Sequence, residues 1–139
     1  MQKRMIKFRA WDKTEKKMFR VTLMDFPEWH VSVQDGENYY RSGDRNSFKN
    51  DDTDRCVLMQ FTGIYDKNKK EIFEGDILVR RNHRRYKEIA VVEYSSASFW
   101  PLRKGNNSKW EYLDSPMDFY EKCEVIGNIY ENPELIKGE

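Results

Sequence analysis

At 139 residues, with 38% hydrophobic and 14% aromatic side chains, the chain can bury the core of one ordinary domain or of two small ones. Charged residues make up 35% of it, yet the formal net charge is only +1. That balance excludes charge-driven disorder, and it argues against bulk, non-specific adhesion to nucleic acid or an anionic membrane while leaving local patches open. The opening residues run straight into an alternating pattern with no signal-peptide core. No apolar run approaches the roughly 20 residues that a membrane helix needs. A soluble, cytoplasmic protein with no membrane partner is expected.

In chain order, Ile6, Phe8 and Ala10 alternate with Lys7, Arg9 and Trp11, the period-two signature of a half-buried strand. The polar stretch from Asp12 to Lys17 reads as a turn and Met18 to Leu23 as the returning strand, which makes a hairpin with a charged tip. Pro27 interrupts the pattern, and His30 to Gln34 forms a third short strand. From Asp35 to Arg55 the composition shifts to Gly, Ser, Asn, Asp and Arg, with Tyr39, Tyr40 and Phe48 among them, and a long polar loop is expected. The group Asp51, Asp52 and Asp54 has neither the glycine nor the distal glutamate of a calcium loop, so it reads as a solvated acidic loop.

Order returns at Val57 to Gly63, with Val57, Met59 and Phe61 on one face. A second hairpin turns over Asp66 to Lys70 into Glu71 to Phe73. Glu74-Gly75-Asp76 is a tight turn, and Asp76 is expected to bond local backbone amides there. Strands follow at Asp76 to Arg81, Glu88 to Tyr94, Phe99 to Arg103, Lys109 to Leu113 and Glu124 to Tyr130. Ser115-Pro116 starts a short helix over Pro116 to Lys122, and Asn132-Pro133 a final helical turn. The reading is mainly β: an N-terminal antiparallel hairpin region over 1–55, then a small SH3-like antiparallel barrel over 56–139 with one or two short helices.

Three of these strings resemble the YopX family, in that family's order and over nearly the whole chain. They are Ile6 to Asp12; Leu58 to Gly63 with Asp66-Lys67-Asn68 and Glu74 to Ile77; and Val125 to Leu135. The resemblance implies a bacteriophage or prophage protein, working inside a bacterial host, with an SH3-like C-terminal part. It carries no catalytic or binding role to any residue.

Cys56 and Cys123 are far apart and read as buried reduced thiols rather than a metal pair or a disulfide framework. Only His30 and His83 are available for acid–base work, and no nucleophile, phosphate-loop or zinc motif occurs. No enzyme activity, cofactor, metal or small-molecule ligand is expected. The most distinctive local feature is the turn that holds Arg80, Arg81, Arg84, Arg85, Tyr86 and Lys87, five cations and an aromatic within eight residues. It could track a phosphate backbone while Tyr86, extended by Trp100, stacks on bases. The plainer reading is a solvated tip, or one paired with the acidic stretch Glu111 to Glu134. Four Trp, eight Tyr and eight Phe exceed what a small barrel absorbs, so a surface or interface must take some of them. An interaction module, binding a protein partner or a second copy of itself, is therefore the leading function class and nucleic-acid binding the second.

Overall fold

Alternating apolar residues and turn-forming acids set up eleven strands, one α-helix and one 3₁₀ turn in the computed structural model, which describes residues 3–25, 30–35, 38–41, 56–81, 86–104 and 109–137. The chain divides into two compact units, one of Ile6–Gln60 and one of Phe61–Glu139 together with Met1–Met5.

In the first unit, β1 (Phe8–Asp12), β2 (Lys17–Asp25), β3 (His30–Asp35), β4 (Asn38–Arg41) and the first half of β5 (Cys56–Tyr65) lie in the order β4-β3-β2-β1-β5. Every pairing is antiparallel, with Ala10 opposite Phe19 on one side and Leu58 on the other. The core is Ala10, Phe19, Val31 and Val33, with Val21, Met24, Cys56 and Leu58 packed against it. Asp12 is buried at the β1–β2 turn, where one carboxylate oxygen accepts the N–H groups of Thr14 and Glu15 at 2.8 and 3.1 Å. Strand β4 falls inside the stretch expected to be loop. Asp35 ends β3, and the rest of that stretch, including Phe48 and the Asp51, Asp52 and Asp54 group, lies outside the described residues.

In the second unit the far half of β5 pairs with β6 (Glu71–Phe73), with a register break between Phe61 and Tyr65. Strands β7 (Asp76–Arg81), β8 (Lys87–Ser95), β9 (Ser98–Lys104), β10 (Trp110–Tyr112) and β11 (Glu124–Asn128) form an antiparallel sheet in the order β10-β9-β8-β7-β11. Among the described residues nothing pairs β10 with β11, so the sheet is open and the expected SH3-like closure is not met. The reason lies in helix α1 (Pro116–Lys122), which brings the fully buried Phe119 and Tyr120 onto Leu78, Ala90 and Val92. With Ile72, Leu113 and Cys123 it covers the apolar face that a closed barrel would fold inward.

Buried carboxylates and amides hold the turns. The Asp66 carboxylate accepts the Asn68 and Lys70 N–H groups and, across the unit, that of Val125 at 3.0 Å. Asp76 accepts the Phe73 N–H at 2.8 Å. Gly75 takes φ +79°, where a Cβ is resisted, and links three segments. Its N–H donates to the Val92 carbonyl, and its carbonyl accepts the Ile129 N–H, both at 2.9 Å. Strand β11 stops two residues short of the expected Tyr130 because Asn128 turns the chain, its side-chain oxygen accepting the Tyr130 and Glu131 N–H groups.

Candidate nucleic-acid interface

Along β7 and β8 the side chains alternate between two faces, and the faces treat positive charge differently. Helix α1 covers the first. There Arg80, half-buried, donates to Asp118 at 3.0 Å and to Glu88, and its guanidinium lies 5.0 Å from the centre of the Phe119 ring. Glu88 also accepts from Arg103 at 3.1 Å, and Asp118 from Lys122 at 2.8 Å. The Lys122 hydrogen bond, with that charge and Arg80 nearby, holds the Asp118 carboxyl below the usual range against the opposing pull of desolvation. Arg80 is thus committed within the fold, one acceptor coming from the acidic C-terminal stretch and the other, Glu88, from the neighbouring strand.

The opposite face carries Arg81, Lys87 and Lys104, all exposed. Arg81 lies directly across from Lys87, and Lys104 across from Trp110. Among the described residues no carboxylate forms an ion pair with any of the three. Trp100 shares this face, opposite Glu93, and its ring meets that of Tyr112 edge-on at 5.5 Å. Ser95 fixes both aromatics: its carbonyl accepts the Trp100 indole N–H at 2.8 Å, and its hydroxyl lies 2.9 Å from that of Tyr112.

The sequence-derived site is therefore divided. Arg81 and Lys87 come together, while Arg80 points to the other face. Tyr86 is 68% exposed, but Trp100 does not extend its platform. Glu93, the partner of Trp100, is six residues beyond Lys87, or about 20 Å along the strand. Arg84 and Arg85, with His83, lie outside the described residues. Lys104, Trp110 and Tyr112 were missed by sequence reasoning. Their two-residue spacing was visible, but their alignment with Lys87 and Trp100 depends on the pairing of three strands.

Elsewhere no cluster of three or more metal-ligating side chains occurs among the described residues, and no described helix is long and apolar enough to cross a membrane. Cys56 is half-buried and Cys123 buried, both free thiols. Desolvation, reinforced by the Asp66 charge, pushes the Cys123 thiol up to about 12, which leaves it protonated and unreactive near neutrality.

The sequence model of the YopX protein family matches residues 7–137. The fold is similar to the crystal structure of protein EF1440 from Enterococcus faecalis, at 33% identity over 97% of this chain and 100% of that one, with a TM-score of 0.63. It is also similar to the crystal structure of protein yopX from Bacillus subtilis, at 18% identity over 96% and 97% of the two chains, with a TM-score of 0.58. No curated protein matches the chain.

Proposed function

We propose, from the premise that the chain belongs to the YopX family, that it is a phage- or prophage-encoded, non-catalytic interaction module of the bacterial cytoplasm. Its partner is a protein, in the first place a second copy of the chain. The observation that carries this reading is the asymmetry of the sheet edges in the C-terminal unit. The β11 side is occupied, since Val125 donates to Asp66, Lys67 donates to the Cys123 carbonyl and Asn128 donates to Asn132. The β10 side has all three residues exposed, Trp110 and Tyr112 among them. An open strand edge offers main-chain donors and acceptors to an added strand, and exposed Trp and Tyr are favoured anchors at such contacts.

Light scattering over a wide concentration range tests the proposal: a reversible rise in mass supports it. A chain that stays monomeric throughout and retrieves no protein from infected-cell lysate overturns it. A second reading, nucleic-acid binding, is favoured by a specific observation, the three exposed cations Arg81, Lys87 and Lys104, which form no ion pair among the described residues.

A further inference from the structure

Directly opposed like charges are unfavourable on a sheet, yet Arg81 faces Lys87, and among the described residues neither has an acidic partner. One residue away, across the sheet, the same chain pairs Arg80 and Arg103 with Glu88 and Asp118. The carboxylates of the other face, Glu93 and Glu124, are not placed against Arg81 and Lys87. Lys104 adds a third exposed cation to this face, and Glu93 is set near Trp100, away from the cationic end. Glu124, across β7 from Val79, is taken by Lys67. The apolar residues Ile77, Val79 and Leu102 of this face are buried, so what it offers a ligand is its exposed margin of Arg81, Lys87, Lys104, Trp110 and Tyr112.

Next to the cations stand flat rings. Trp110 and Tyr112 are 41% and 52% exposed and two residues apart on β10, which puts them on one face about 7 Å from each other. Tyr112 is braced by Trp100 and by Ser95, so its ring is held in place before any ligand arrives. A sheet face with exposed rings beside cations suits unpaired bases, each of which has a π-face to stack, with the cations following the phosphates. A protein partner suits it less, because lysine is depleted at the centres of protein interfaces.

We propose that the β7–β10 face binds single-stranded nucleic acid, with Trp110 and Tyr112 stacking on bases and Arg81, Lys87 and Lys104 neutralising the phosphates alongside. This goes beyond the protein-partner reading and does not rest on it. Strand addition at the β10 edge draws on main-chain groups, whereas this inference draws on the cations and on the faces of Trp110 and Tyr112, for which the two ligands would compete.

The test is fluorescence anisotropy of a labelled oligothymidylate, and of a duplex of the same length, titrated with the full chain at low and at physiological salt. The expected result is binding to the single strand in preference to the duplex, with a salt slope near −2 for three phosphate contacts, at about 0.7 each. Trp110→Ala and Tyr112→Ala should each weaken binding roughly tenfold or more, and Lys104→Gln should lower the slope by about 0.7. Tyr112→Phe keeps the ring but loses the Ser95 brace, and its affinity should fall between those of the parent and Tyr112→Ala. Arg103→Gln removes a cation from the opposite face and should leave affinity within about twofold, since its charge is already satisfied by Glu88. Circular dichroism establishes that each variant is folded.

The proposal is overturned if the single strand does not bind at low salt, if the duplex binds as tightly, or if Arg103→Gln weakens binding as much as Tyr112→Ala. Light scattering of the same samples separates the two readings. Self-association without oligonucleotide binding overturns this inference and leaves the protein-partner reading standing. Oligonucleotide binding by a strict monomer that also retrieves no protein from lysate does the reverse.

Discussion

Asp12, Asp66, Asp76 and Asn128 are the buried polar side chains among the described residues, and all four lie within the three strings that carry the family resemblance. Each turns its oxygens onto backbone N–H groups. Those strings therefore encode turns, which accounts for their indicating a fold without indicating a reaction. At Asp66 burial works to raise the carboxyl, but hydrogen bonds from Val125, Lys70 and Asn68, helped by the Lys70 charge, overcome it and leave it below its ordinary 3.8. The sign follows from linkage. A carboxyl depressed in the folded state adds stability above its unfolded value and loses it as pH falls through the lower folded value. Asp66→Asn should cost about 1–3 kcal/mol at neutral pH, and urea unfolding should show the gap from the parent narrowing below pH 3.8.

Gly127 offers a second test at this scale. An added Cβ would run into the Asn132 side chain, with Cγ at 2.7 Å, and that side chain accepts the Asn128 N–H. Gly127→Ala should destabilise by roughly 1–3 kcal/mol. Thermal melts of the single and double variants should show a smaller loss once Asn132→Ala has removed the obstacle.

At the scale of elements, alternation placed most strands to within a residue or two, and the Ser115-Pro116 signal gave α1 its bounds. Strand β4 was not legible, because Asn38 to Arg41 is only four residues long and sits among turn formers. Closure was not legible either. Alternation states which side of a strand is apolar but not what covers it, and here Phe119 and Tyr120 do so from a helix. The register break between Val125 and Gly127 similarly escapes a period-two reading. For the candidate site, pairing of the basic turn with the acidic C-terminal stretch was legible and holds at Arg80 and Asp118. The Glu88 partner was not, since it depends on the register of β7 against β8. Arg80→Ala should leave the half-buried Glu88 with one donor fewer and cost roughly 1–3 kcal/mol, read by urea unfolding.

For the whole molecule, each unit has its own apolar core, so opening of the C-terminal unit can be followed by a reporter inside it. Cys123 is fully buried and its S–H donates to the Tyr120 carbonyl at 3.3 Å. In a Cys56→Ser background, modification by a chromogenic disulfide should be slow in buffer and accelerate with urea in step with unfolding. Prompt modification of the native protein would show that this core opens readily. Phe119→Ala should cost about 3–5 kcal/mol and bring that acceleration to lower urea.

The two edges of the C-terminal sheet also limit how far assembly through it can proceed. Strand addition needs a free margin, and Asp66, Lys67 and Asn132 occupy the β11 margin. A copy joined at β10 leaves no second margin of this sheet for a third. Growth along it, if the proposed strand addition takes place at β10, would therefore end in a closed, two-fold pair rather than a filament.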